Sequence, residues 1–259
     1  MRFNRAITPV KVLSFDLDDT LYNNHPIIKA ALQAQFDYLA TIEQWHAKGP
    51  NYWRECRHHI GETQPELQSD VTKWRQVALR YGFAQLGFSD RQAQEYANAA
   101  YKAFADARSN IVVSDDVLEL LAQLHEKYTL IAITNGNVEV DKFNLKGEFD
   151  LVLQAGPHGE AKPSRALFDK ACALLEVCPS DILHIGDSLD TDVQGANNAG
   201  CYSVWLDNQD CIYNYKGLAD IEITGLMAMM GKTFSELLVS LVRSYTLSFV
   251  LITLMMMIF

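Results

Sequence analysis

Asp16 and Asp18, in the segment Phe15-Asp-Leu-Asp-Asp-Thr-Leu21, are the residues of this chain best suited to chemistry. They follow an apolar run, Val10, Val12, Leu13 and Phe15, which predicts a short buried strand. The two acids then sit just past the strand's C-terminal end, where open α/β sheets place their ligands. Carboxylates one residue apart against an apolar wall repel each other unless a cation or protons intervene. A metal-assisted pair of acid and nucleophile accounts for them. Taken alone, the segment also reads as an acidic turn that ends a strand.

Three further strand-like runs lie downstream. Tyr128 to Ile133 leads into Thr134-Asn135-Gly136, and Asp181 to Ile185 leads into Gly186-Asp187-Ser-Leu-Asp-Thr-Asp192. Between them Lys162-Pro163 is expected to open an amphipathic helix with Leu167, Phe168, Ala171, Leu174 and Leu175 on one face. Asp, Thr, Lys and Gly-Asp-x-x-x-x-Asp, in that order on alternating strands and helices, resemble the haloacid dehalogenase-like hydrolases. Phosphatases that form an aspartyl-phosphate dominate that family.

The resemblance implies roles. Asp16 would be the nucleophile and Asp18 the acid/base. Thr134 and Asn135 with nearby backbone N–H groups would hold the phosphoryl oxygens, and Lys162 would balance charge. Mg²⁺ would be ligated by the carboxylates of Asp16 and Asp187 and the backbone carbonyl of Asp18, with Asp192 orienting Lys162 or a metal-bound water from behind. Asp19 is left to bond the following turn. A dehalogenase needs no acid, because halide leaves without a proton, so Asp18 favours a phosphatase. A phosphonate hydrolase would need a Schiff-base lysine, and nothing singles out Lys29, Lys48 or Lys73. A sugar-phosphate phosphatase or mutase shares the same core residues, and a non-catalytic binding protein on the same fold is the rival from another class.

Longer strings narrow the resemblance: Phe15 to Tyr22, Ile133 to Asn137, Ala155-Gly-Pro-His-Gly-x-x-Lys-Pro163, and Val71 to Arg75. They are similar to bacterial phosphatases of riboflavin synthesis, which act on 5-amino-6-(5-phospho-D-ribitylamino)uracil and accept flavin mononucleotide (FMN). The likeness spans about residues 1–226 and implies a small phosphorylated metabolite as substrate. His158 and Gly159 would shape the loop that carries Lys162.

The elements that must position these groups follow from periodicity. Residues 22–108 read as helices: one from Pro26 with Ile28, Leu32, Phe36 and Leu39; one with Val71, Trp74, Ala78 and Tyr81; one with Ala93, Ala97, Ala100, Tyr101 and Phe104. Helix and strand then alternate: helix at 117–124, strands at 130–133, 150–153 and 182–185, helix at 193–199, strands at 202–206 and 220–223. The fold class is α/β, a doubly wound, Rossmann-like parallel sheet with an all-helical insertion after its first strand. Residues 1–21 and 109–226 form the core and 22–108 the cap, which the family closes over the site. Trp45, Tyr52, Trp53, Trp74, Tyr81 and Phe83 mainly fill the cap's interior. His58 and His59 lack a third ligand at metal spacing.

Composition sets the outer bounds. The chain has 259 residues, 49% apolar and 21% charged, with a formal charge of −10. Those are globular values, and without a basic stripe nucleic acid is not an expected partner. Five scattered cysteines without Cys-x-x-Cys argue against a disulfide framework or a zinc site, and a reducing, cytoplasmic setting fits them. No signal peptide is visible.

The apolar extension at 227–259 departs from the family pattern. Residues 244–259 carry no charge and end Leu-Met-Met-Met-Ile-Phe, somewhat short of the ~20 apolar residues of a spanning helix. Three readings stay open: an extra packed helix, a disordered or altered-frame extension, and a membrane anchor, the one route to membrane association. The oligomeric state is not legible.

Overall fold

The computed structural model describes residues 1–207 and 218–229. The tail at 244–259, most of the 227–259 extension and Cys211 lie outside the described residues. Strand β1 (Arg2–Phe3) is followed by β2 (Val12–Phe15), whose four residues are all buried. Five helices come next: α1 (Asn24–Ala40), α2 (Glu43–His46), α3 (Tyr52–Thr63), α4 (Val71–Gln85) and α5 (Asp90–Arg108). After α6 (Asp115–His125) come β3 (Thr129–Thr134), β4 (Leu151–Gln154), α7 (Ala166–Leu175), β5 (Ile182–Gly186), α8 (Gln194–Ala199), β6 (Tyr202–Leu206) and β7 (Ile221–Ile223).

The seven strands form one sheet in the order β1-β7-β6-β5-β2-β3-β4, parallel except for the antiparallel β1–β7 pair. Strand direction reverses its order of addition at β2, which lies between β3 and β5, so a crevice opens at the ends of these three strands. Register makes those ends coincide. Phe15 is opposite Ala132 of β3 and Ile185 of β5, which puts Asp16, Thr134 and Asp187 at one rim of the sheet.

Alternation sends successive residues to opposite faces. Leu13, Phe15, Leu130, Ala132, Leu183 and Ile185 pack with α6 on one side. Val12, Ile131, Ile133 and Ile182 pack with α7 and α8 on the other. Both faces are covered, as a parallel sheet requires. Helix α7 buries Leu167, Phe168 and Ala171, but Leu174, expected on that face, is 56% exposed. Leu175 in the last turn still packs against the same apolar cluster, so Leu174 lies to the side of the buried stripe, and the helix ends at Glu176 in the left-handed conformation.

The helices between β2 and α6 surround a separate apolar cluster containing Leu39, Trp45, Trp53, Leu79, Phe83 and Ala97. Helix α5 starts at a capping box between Ser89 and Gln92 and buries Ala93, Ala97, Ala100 and Phe104, as its spacing predicts. In α1 and α4 the buried line is displaced from the apolar stripe. Helix α1 buries Ala31, Gln35 and Leu39, and α4 buries Arg75, Ala78, Leu79, Gly82 and Phe83. The cause is a polar pair in the interior. Arg75 donates to Gln35 at 2.9 Å and lies over the rings of Phe104 (3.6 Å) and Trp53 (5.5 Å). Burial, then the neighbouring Arg57, pulls the Arg75 pKa down to about 9. The flat guanidinium stacks on aromatic rings inside the cluster, off the expected Val71, Trp74, Ala78 and Tyr81 stripe.

Candidate active site

Asp16 follows β2 directly, and its N–H donates to Ile185 O of β5 at 2.9 Å, so the sheet ladder itself holds it. Its side chain meets Lys162, whose ammonium is buried. Lys162 Nζ donates to Asp16 Oδ1 (2.9 Å), Asp192 Oδ1 (2.6 Å) and Ile133 O (2.6 Å). All three ammonium protons are thereby used.

Lys162 lies in a loop and does not open a helix. A residue before proline is disfavoured in helical geometry, and α7 begins only at Ala166. The Lys162-Pro163 peptide is cis. Both ends of the Asn135 amide hold this loop: Nδ2 donates to Lys162 O at 2.9 Å, and Oδ1 accepts from Lys162 N at 2.8 Å. The Asn135 side chain is thus spent on fixing Lys162. A phosphoryl contact from Asn135 would come from its backbone N–H.

Asp192 accepts from Lys162 and His184 on Oδ1 and from Ser188 N on Oδ2. His184 Nε2 is 3.2 Å from Asp192 Oδ1, so Nε2 carries the proton and Nδ1 accepts from the Ser14 hydroxyl at 2.9 Å. Ser14 and His184 are register partners on β2 and β5. Sequence reasoning missed this relay because a lone histidine in a strand carries no motif.

One ammonium faces two acids, and the acids respond in opposite directions. Burial disfavours the Asp192 anion, but Lys162 and His184 overrule it and hold its pKa well below the usual carboxylate range. For Asp16 burial wins over Lys162, and Asp192 adds repulsion, so its pKa is raised. Asp187, at the end of β5, is pushed up to about 6 by burial and then by Asp192 and Asp19. Burial would lower the Lys162 pKa, yet its two carboxylates raise it, while burial lowers that of His184.

Carboxylate oxygens of Asp16, Asp187 and Asp192 lie within 4.8 Å of one another. Two of these acids are penalised as anions, and the donor set is hard oxygen. That environment fits a small divalent cation such as Mg²⁺. Since both oxygens of Asp192 are engaged by protein donors, Asp16 and Asp187 are the freer ligands.

Asp18 points elsewhere. Its carboxylate accepts from Arg108 Nη2 at 2.5 and 2.7 Å and from the Tyr22 hydroxyl at 2.6 Å. Arg108 ends α5 and Tyr22 lies just before α1, so residues at both ends of the helical insertion grip Asp18. Neither residue carried a sequence signal beyond its type. Burial, then Asp18, raises the Tyr22 pKa far above its ordinary value.

Asp19 adopts the left-handed region, φ 58°, which aspartate tolerates, and its Oδ1 accepts from Asn24 N at 2.8 Å. It bonds the turn, as expected. Buried Thr134 accepts from Gly136 N at 2.9 Å. A Cβ on Gly136 would come 2.6 Å from Asp18 Oδ2 and 3.2 Å from Thr134 Oγ1, so glycine lets this loop approach both. A cleft of about 850 Å³ opens alongside, lined by Thr20, Tyr22 and Asp187 among others. His58 pairs with Glu62, and His59 stacks on Tyr81.

Comparison with known proteins agrees with this geometry. Residues 10–200 match the family model described as haloacid dehalogenase-like hydrolase. The chain is 36% identical to 5-amino-6-(5-phospho-D-ribitylamino)uracil phosphatase YigB of Escherichia coli (strain K12), over 88% of this chain and 98% of that protein. It is 27% identical to phosphoserine phosphatase of Thermus thermophilus, over 76% and 89% of the two chains. Among solved structures, 2-haloacid dehalogenase from Pseudomonas syringae pv. Tomato DC3000 superposes with a TM-score of 0.79 at 30% identity, covering 85% of this chain and 96% of that one. The match over most of the length, on a fold that gathers Asp16, Lys162, Asp187 and Asp192 at one sheet rim, shows that this chain is an enzyme of the haloacid dehalogenase-like hydrolase family.

Proposed function

We propose that the protein is a Mg²⁺-dependent phosphomonoester hydrolase that works through an aspartyl-phosphate on Asp16. The observation that carries the reading is the contact of Lys162 with Asp16, which leaves a buried carboxylate oriented by one cation. The first step needs Asp16 ionised and Asp18 protonated at the start. In it an Asp16 oxygen attacks phosphorus in line, the bond from phosphorus to the leaving oxygen breaks, and Asp18 gives that oxygen its proton. In the second, Asp18 takes a proton from water as it attacks the acyl phosphate, which releases phosphate and restores Asp16. Lys162, the Thr134 hydroxyl and the backbone N–H groups of residues 135–136 stabilise charge on the phosphoryl oxygens. Asp16, Asp187 and the Asp18 carbonyl would hold Mg²⁺, which when bound neutralises charge between nucleophile and phosphate.

We read residues 1–21 and 109–226 as the catalytic core and 22–108 as the cap; the grip of Arg108 and Tyr22 on Asp18 supports division there. Among small phosphorylated metabolites, the relative of 36% identity favours 5-amino-6-(5-phospho-D-ribitylamino)uracil as substrate; FMN and riboflavin biosynthesis follow from the resemblance of the sequence motifs. The cysteines Cys56, Cys172, Cys178 and Cys201 are free, which suits a reducing cytoplasm, and no helix among the described residues is long and apolar enough to cross a membrane.

Phosphate release with Mg²⁺ and with EDTA tests the reading, across FMN, the ribitylaminouracil phosphate, several sugar phosphates and 2-chloropropionate for halide release. Metal-dependent release peaking on the flavin-pathway compounds is expected. Halide release without phosphate release would make the protein a dehalogenase and leave Asp18 without a task.

A further inference from the structure

Arg108 is a buried cation with half of its guanidinium committed. Its side chain is 3% exposed, and Nη2 alone spans both oxygens of Asp18. Nη1, on the same carbon, is buried and has no hydrogen-bond partner. A charged donor left unpaired in the interior loses its hydration without replacement, so such a group calls for an acceptor. Nη1 is a donor only, so its partner must be an oxygen or another anion. Planarity confines that partner to the neighbourhood of the Asp18 carboxylate. The donor comes from the last turn of α5, and Phe104, one turn earlier on that helix, underlies Arg75. The groups set against Arg108 are Asp18, which Nη2 holds, and Tyr22, whose hydroxyl donates to the same carboxylate.

We propose that Arg108 is a positioning residue that bridges Asp18 to the substrate: Nη2 orients the Asp18 carboxylate while Nη1 donates to an oxygen of the bound phosphomonoester. The inference rests on the reading of Asp18 as acid/base. It makes the end of the helical insertion a coupling device, in which the substrate oxygen that seats Nη1 also fixes the group that protonates the leaving oxygen.

The test compares two substrates of the full-length protein with Mg²⁺: an alkyl phosphomonoester, FMN first, whose leaving oxygen needs a proton, and p-nitrophenyl phosphate, whose leaving group needs none. Losing one charge-assisted contact is worth about tenfold to a hundredfold. Arg108→Met should lower kcat/KM for p-nitrophenyl phosphate about tenfold, through Nη1, and for FMN about a hundredfold or more, through both nitrogens. Arg108→Lys, which keeps one donor for Asp18, should lower both about equally, near tenfold. Melting curves accompany the assays; if Arg108→Met does not fold, the lysine variant carries the test, and an unchanged kcat/KM there overturns the inference. Equal losses on the two substrates in a folded Arg108→Met, or none, also overturn it while leaving the hydrolase reading intact. Wild-type protein inert on every phosphate would overturn the hydrolase reading, and this inference with it.

Discussion

Lys162 Nζ lies 2.6 Å from Asp192 Oδ1, both side chains buried, and this pair decides how the site distributes its charge. Asp192 is satisfied by Lys162, His184 and Ser188 together, so Asp16, which shares only Lys162, is left with the unmet electrostatic demand.

Asp192→Asn breaks a buried ion pair and should destabilise the fold by about 3–5 kcal/mol. The Asp192 pKa is depressed by folding, so its contribution is present above the unfolded value near 4 and is lost as pH falls through the folded one. Denaturant titrations at pH 7 and below pH 4 should therefore show a large wild-type advantage at pH 7 and a smaller one in acid. An equal advantage at both would exclude Asp192 as the source.

Asp16 and Asp187 behave with the opposite sign. Folding raises both pKa values, Asp187 to about 6, so each group costs stability as pH rises above the unfolded value near 4. In EDTA the melting temperature should fall between pH 5 and pH 7.5. Adding Mg²⁺ should raise it more at pH 7.5 than at pH 5. A Mg²⁺ effect independent of pH would argue against these two ligands.

Asp16→Asn should abolish turnover, by at least about a thousandfold, with melting changed by only a few degrees, since a neutral side chain suits this buried position. Asp18→Asn should slow both chemical steps and accumulate phosphoenzyme. Intact-mass spectrometry of acid-quenched Asp18→Asn with substrate should show one added phosphoryl group; its absence, together with wild-type rates, would remove Asp18 from the mechanism.

Two glycines separate activity from stability. A Cβ on Gly186 would sit 2.2 Å from Asp192 Cγ, which three donors hold in place, so Gly186→Ala should cost about 1–3 kcal/mol as well as activity. On Gly136 the nearest atom is Asp18 Oδ2, the end of a side chain. Gly136→Ala should lower kcat at least about tenfold and cost less stability than Gly186→Ala, because only the end of Asp18, held by Arg108 and Tyr22, has to shift. Parallel assays and melts on the two variants check the contrast.

Local rules made much of this readable from residue order. Strands β2, β3 and β5 are short apolar runs ended by Asp16, the Thr134-Asn135-Gly136 turn and Gly186-Asp187, and their shortness and polar ends distinguish them from the longer, periodic helices. Asp16, Thr134, Lys162, Asp187 and Asp192 could be picked out because each sits at a strand end or in a spaced motif.

Tertiary structure alone decided how those groups share charge and what grips Asp18. The pairing of Ser14 with His184 depends on sheet register, the seating of Lys162 on an amide 27 positions away, and the Arg108 contact with Asp18 on a helix returning across 90 residues. Arg75, which carries no burial signal in the sequence, is core because Phe104, Trp53 and Gln35 converge on it. Such contacts join single residues of ordinary type over long separations, and a guanidinium carries no periodic signal for the carboxylate or ring it will meet. Residue types set which chemistry was available at the rim of the sheet; packing determined which acid keeps its charge and which one carries the unmet electrostatic demand.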